Sequence, residues 1–127
     1  MVSRLRPLRC VIVDDNMAFA EAAANFLGRE GITIVGVASN SAEAMSSVAA
    51  LKPDVTIVDV YLGSESGFDL AEQLASVAAP VIMTSTHSEQ ELADMIAESA
   101  ALGFVSKVEL SPEAIRRLLI DSAARPE

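Results

Sequence analysis

Three acidic residues in this 127-residue chain stand where a short apolar run gives way to a loop: Asp14 and Asp15 after Cys10–Val13, and Asp59 after Val55–Val58. Two later runs also end in polar residues. Thr84–Ser85–Thr86 follows Val81–Met83, and Ser106–Lys107 follows Phe104–Val105. The remaining run, Ile32–Val37, ends in Ala38–Ser39 and offers nothing comparable. Open parallel sheets bind ligands beyond the carboxyl ends of their strands, where strand order reverses. Such a sheet would gather these groups. Converging carboxylates repel, and at least one pKa rises unless a cation joins them. An oxygen-only donor set suits a hard cation. Magnesium, which keeps several waters and takes one or two carboxylates plus a phosphate oxygen, fits better than an all-protein calcium cage. Lys107 is one of only two lysines, and its point charge beside a strand-end hydroxyl makes an anion site. A carboxylate between a divalent cation and a lysine is what an acyl-phosphate intermediate requires, with Asp59 attacking while the cations offset the incoming charge.

The elements that must position these groups are legible in the hydrophobic pattern. The five runs are apolar with little in-out alternation, as in strands covered on both faces. Phe19, Ala22, Ala23, Phe26 and Leu27 trace one face of a first helix, ended by Gly28–Gly31. Asn40 with Glu43 reads as a capping box opening a second helix through Met45 and Val48 to Leu51. Leu70, Leu74 and Val77 mark a third, stopped before Pro80. Ser88 with Glu91 opens a fourth carrying Leu92, Met95, Ile96 and Ser99. Ser111 and Pro112 open a fifth, with Ile115, Leu118 and Leu119 inward. Five strand–helix units call for an α/β fold, a parallel sheet with helices on both faces, and leave no room for an eight-unit barrel.

Composition narrows the function. Nine Lys and Arg against 18 Asp and Glu give a net charge of −9, which argues against a nucleic-acid grip. One Cys excludes an internal disulfide, no run approaches the ~20 residues of a membrane span, and no signal peptide is read. A cytoplasmic single domain over 1–127 is expected, its core about 9–124 and its tails, 1–8 and 125–127, frayed.

With these residues in place the chain resembles a two-component response-regulator receiver domain, the phospho-aspartate switch typified by the bacterial chemotaxis regulator. The matching motifs are Val-Asp-Asp-Asn at 13–16, Ile-Val-Asp-Val-Tyr-Leu at 57–62, Met-Thr-Ser-Thr at 83–86 and Gly-Phe-Val-Ser-Lys at 103–107. The resemblance implies a flavodoxin-like, doubly wound five-stranded sheet in the order 2-1-3-4-5. It implies Asp59 as phosphoacceptor, and Mg2+ held by Asp14, Asp15, Asp59 and the backbone carbonyl of Tyr61. Lys107 and Ser85, with Thr86 beside it, would take the phosphoryl oxygens. Ser85 and Phe104 would be the switch pair, and Gly67 the glycine of the loop after the acceptor strand. The donor would be a sensor histidine kinase or histidine phosphotransfer protein. Output would pass by protein contact through the fourth helix, fifth strand and fifth helix, about Ser88 to Ala124, with a phosphorylation-dependent dimer as one form.

Departures from that family carry expectations of their own. Gly63, where proline is common, should loosen the loop after Asp59. Val108 follows Lys107 where proline is usual; a cis bond there would cost about 2.5–4 kcal/mol, so a trans bond is expected. Tyr61 and His87 occupy the positions flanking the attacking water in this family, and their bulk should lengthen the phosphoryl lifetime. The blander alternatives are a turn or helix cap for Asp14–Asp15, a snorkelling surface lysine for Lys107, and a purely core role for Phe104. Rival functions are a non-phosphorylated interaction domain and an aspartate-nucleophile phosphohydrolase. The latter wants a second Asp two residues after the first, where Tyr61 stands.

Overall fold

The computed structural model describes residues 7–124. Its elements run β1 (Arg9–Val13), α1 (Met17–Arg29), β2 (Thr33–Ala38), α2 (Ser41–Leu51), β3 (Val55–Asp59), β4 (Tyr61–Leu62), β5 (Glu65–Ser66), α3 (Gly67–Ala75), β6 (Val81–Ser85), α4 (Ala93–Glu98), β7 (Gly103–Ser106), a 3-10 turn (Lys107–Glu109) and α5 (Pro112–Ala124). The five long strands form one parallel sheet in the order β2-β1-β3-β6-β7. Counting those strands alone, this is the 2-1-3-4-5 order expected of a doubly wound flavodoxin-like sheet.

Strand alternation divides the core in two. Val11, Val13, Val58 and Met83 face one way and pack with Ala44, Val48, Leu70, Leu74 and Leu92. Cys10, Ile12, Ile57 and Ile82 face the other way, against Ala20, Leu27 and Ile115. So α2, α3 and Leu92, just before α4, cover one face, and α1 and α5 cover the other. The central strands β1, β3 and β6 read as unbroken apolar runs because neither of their faces meets water. At about 25 cal/mol per Å2, this aliphatic burial is the main force holding the layers together.

Several local expectations are corrected. On α1 the buried stripe is Ala20, Ala23 and Leu27, while Ala22 is exposed and Phe26 is 40% exposed. An alanine-rich helix is apolar on every side, so periodicity alone misplaces its face. Val77 lies beyond the end of α3 and is 58% exposed. The Ser88–Glu91 box closes reciprocally at 3.1 Å in each direction, but it caps a turn, and α4 begins only at Ala93. In the Asn40 box, the Glu43 carboxylate accepts from Ser39 N rather than from Asn40 N. The loop after Asp59 contains the short β4–β5 hairpin. Gly63 has φ +62 at its tight turn, a conformation that favours glycine there. Residues 1–6 and 125–127 of the tails lie outside the described residues. Leu8 is not frayed, since its carbonyl accepts from Thr33 N at 2.8 Å.

Candidate functional site

The parallel register sets the site. Val13 pairs with Val58 across β1 and β3, Asp59 with Thr84 across β3 and β6, and Ser85 with Ser106 across β6 and β7. Asp14, Asp59, Ser85 and Lys107 therefore emerge side by side at the carboxyl edge, next to the point where the chain switches from β2 on one side of β1 to β3 on the other.

Ligand oxygens of Asp14, Asp15 and Asp59 lie within 4.8 Å of one another. Asp14 and Asp59 are buried and Asp15 is exposed, so the cluster opens to solvent on the Asp15 side. Lys107 reaches in from the far strand. Its Nζ is 2.7 Å from Asp14 Oδ2 and 3.5 Å from Asp59 Oδ2, with only 9% of its side chain exposed. The snorkelling alternative is thereby excluded. The peptide bond after Lys107 is trans, as expected, since no described peptide bond is cis.

Three carboxylates against one ammonium leave negative charge uncompensated. Burial, followed by the charge of Asp14, pushes the Asp59 carboxyl up to about 6, against the opposing pull of Lys107 and of a hydrogen bond from the Tyr61 backbone N–H. This arrangement fits a hard divalent cation. The donors are all oxygens and the charge excess is of the right sign; a Cβ at Gly63 would make only ordinary contact with Asp15 Oδ2, at 3.6 Å, so that glycine answers to its turn rather than to the cluster. Gly67 is required for a different reason. A Cβ there would run into the backbone carbonyl of Asp59, and Gly67 N donates to Val60 O at 2.7 Å.

The remaining expected residues surround this cluster. Ser85 is buried, and its Oγ accepts from His87 N at 3.1 Å and lies 3.4 Å from His87 Nδ1. Thr86 is exposed. Tyr61, 48% exposed, sets its ring against that of His87 with centroids 5.2 Å apart. Phe104 is buried in the cluster containing Met83 and Leu92.

Sequence reasoning misses three contributors. Asn16 caps α1 by accepting from Phe19 N at 3.1 Å, and its own N–H donates to Asp14 Oδ1 at 2.9 Å. A capping residue directly before a helix is a signal the sequence does carry. Thr84 Oγ1 donates to Val105 O at 2.6 Å, tying β6 to β7. The Phe19 ring lies under Lys107 Nζ, 4.3 Å from its centroid.

A doubly wound sheet with an acidic, lysine-closed pocket at its carboxyl edge defines a class of cation- and anion-binding α/β domains. Within that class the chain belongs to the response regulator receiver domain family, whose model matches residues 10–119. It is 30% identical over 102 residues to the transcriptional regulatory protein PdtaR of Mycobacterium tuberculosis, covering 80% of this chain and 50% of that protein. It is 35% identical over 106 residues to protein-glutamate methylesterase/protein-glutamine glutaminase 5 of Myxococcus xanthus, covering 80% of this chain and 30% of that one. The chain thus spans half or less of these relatives. Among solved structures, the signal receiver domain of the putative response regulator NarL from Mycobacterium tuberculosis superposes with a TM-score of 0.79 at 25% identity, covering 94% of this chain and 99% of that one. The response regulator domain of Thermotoga maritima CheB shares the fold, with a TM-score of 0.76 at 22% identity, covering 95% and 100%. The chain is a receiver domain of the two-component response-regulator type.

Proposed function

We propose that Asp59 is the phosphoacceptor of this receiver, and that one observation carries the assignment: Asp59 is a buried carboxylate clustered with Asp14 and Asp15 and reached by the Lys107 ammonium, which bridges it to Asp14. An Asp59 carboxylate oxygen attacks phosphorus, the bond to the donor's nitrogen or oxygen breaks, and its electron pair leaves with the donor. The product is a mixed anhydride on Asp59. Water later attacks phosphorus, releasing phosphate and restoring the carboxylate. A magnesium ion, when bound, supplies charge neutralisation for the transferring oxygens. Asp14, Asp15, Asp59 and the Tyr61 carbonyl are the residues that would hold it. Lys107, with the Ser85 hydroxyl and Thr86 beside it, neutralises and orients the phosphoryl oxygens from the opposite side. The contribution of these groups is positional and electrostatic.

The donor is a sensor histidine kinase or a histidine phosphotransfer protein, acting in the cytoplasm. Transfer shifts a two-state equilibrium. The Ser85 hydroxyl leaves His87 for the phosphoryl oxygen, Phe104 repacks, and the α4–β7–α5 surface changes its affinity for a downstream protein or for a second copy. The chain as a whole, 1–127, works as one regulatory unit rather than as an enzyme with an outside product. The methylesterase and glutaminase activities named for some relatives belong to proteins of which it spans about a third. The test is beryllium fluoride with magnesium, followed by backbone amide shifts. Movement at Ser85 and Phe104 is expected, and an unchanged spectrum would refute the switch. Steady turnover of a phosphate ester would favour a phosphohydrolase.

A further inference from the structure

Lys107 is held by more than its two carboxylates. Its stem leaves the sheet at the start of the 3-10 turn Lys107–Glu109, where Val108 is 93% exposed and Glu109 is exposed as well. Those two neighbours lie in solvent, while the Lys107 side chain itself is only 9% exposed. The support comes from α1, where the face of Phe19 lies 4.3 Å from Lys107 Nζ.

The contact belongs to a closed circuit. Asp14 Oδ1 accepts from Asn16 N at 2.9 Å, Asn16 Oδ1 accepts from Phe19 N at 3.1 Å, the Phe19 ring faces Lys107 Nζ, and Lys107 Nζ meets Asp14 Oδ2 at 2.7 Å. The first turn of α1 is therefore locked to the carboxylate that the lysine pairs with, and the ring is carried to the lysine by the same lock. Phe19 is only half-buried and packs at the border of the α1–α5 cluster. A residue serving the core alone has no need to present its π-face to an ammonium. An aromatic face attracts a cation most strongly where water is scarce, as it is around a side chain that is 9% exposed.

We propose that Phe19 is a positioning residue for phosphoryl transfer, its ring holding the Lys107 ammonium between Asp14 and Asp59 so that it is in place when the phosphoryl group arrives. This rests on the reading of Asp59 as phosphoacceptor. An aliphatic residue of similar size would fill the same space but leave the ammonium free to sample other rotamers.

The test compares the full chain with Phe19→Leu and Phe19→Tyr by two readouts: the proton shifts of the Lys107 ε-methylene, and the rate of phosphorylation by acetyl phosphate with magnesium. In wild type and Phe19→Tyr, the methylene should be shifted upfield by the ring and the rates should agree within about twofold. Phe19→Leu should lose the upfield shift and react about three- to tenfold more slowly, the range that a partly desolvated cation–π contact allows. Its magnesium affinity should be unchanged, whereas general damage to the site would lower that too. A wild-type spectrum without the ring shift would overturn the contact. Equal rates for Phe19→Leu and wild type would overturn the positioning role while leaving Asp59 as acceptor. A wild-type chain that shows the ring shift yet takes no phosphoryl group would instead sink the acceptor reading, and any role for Phe19 in that transfer with it.

Discussion

Lys107 Nζ lies closer to Asp14 than to Asp59, at 2.7 Å against 3.5 Å. The single cation thus neutralises the more deeply buried acid first, and Asp59 is the carboxylate left short of charge compensation. Its raised pKa follows from burial and from Asp14. The ammonium nonetheless remains within 3.5 Å of the Asp59 carboxylate.

Removing the ammonium should therefore destabilise the metal-free protein. Lys107→Met leaves three carboxylates facing one another, and breaking a buried pair by deleting one partner costs about 3–5 kcal/mol. Urea denaturation in EDTA should show a loss of that order, with added magnesium recovering part of it. An unchanged midpoint would mean that the ammonium contributes little to the folded state.

The acidity of Asp59 gives a pH signature with a definite sign. Its folded pKa, about 6, lies above the ordinary 3.8, so between those values the folded state holds the proton more tightly than the unfolded chain. Stability from this group is complete below about pH 4, near the ordinary carboxylate value, and falls as pH rises through about 6. The loss is on the order of 2–3 kcal/mol, at about 1.36 kcal/mol for each pKa unit. Subtracting the Tm–pH curve of Asp59→Asn from that of wild type in EDTA isolates it, and the Asp59→Asn variant should be the more stable of the two above about pH 7, where the wild-type carboxylate is ionised. Added magnesium, by pairing with the ionised carboxylate, should abolish the difference or reverse it. A flat difference curve would contradict the burial and charge coupling described for Asp59.

Two glycine substitutions should move stability in opposite directions. Gly67→Ala forces a methyl against the Asp59 carbonyl and should cost about 2 kcal/mol or more, because backbone cannot swing away as a side chain can. Gly28→Ala, inside α1 with nothing within 4 Å of the added carbon, should gain about 0.5–1 kcal/mol. Thermal denaturation of the pair tests both.

Tyr61 and His87 set their rings against each other, tilted by 59° with centroids 5.2 Å apart. If they screen the anhydride from water, then Tyr61→Asn with His87→Glu should hydrolyse faster after excess phosphodonor is removed. Phosphate release no faster than wild type would leave the paired rings without a role in lifetime.

How much of this is legible in the sequence depends on the kind of signal. Asp14 and Asp59 can be found because each closes an unbroken apolar run and Lys107 because it stands just beyond one, and a parallel register brings strand ends together whatever the side chains do. The β4–β5 hairpin cannot, since two-residue strands carry no periodicity and Gly63 marks only a turn. Phe19 reads as core because spacing cannot separate a packing ring from one offered to a cation. The true face of α1 is hidden for a related reason, since Ala18, Ala20, Ala22, Ala23 and Ala24 surround the helix with methyl groups. Only the position of the Lys107 ammonium, 4.3 Å from the ring centroid, separates the two.

The most direct measurement is intact mass after incubation with acetyl phosphate and magnesium, on wild type and on Asp59→Asn. Wild type should gain one phosphoryl group, the gain should disappear when EDTA replaces magnesium, and Asp59→Asn should gain none. A wild-type chain that stays unmodified, or an Asp59→Asn chain that is modified as fully, would contradict the assignment of Asp59 as the residue that accepts the phosphoryl group.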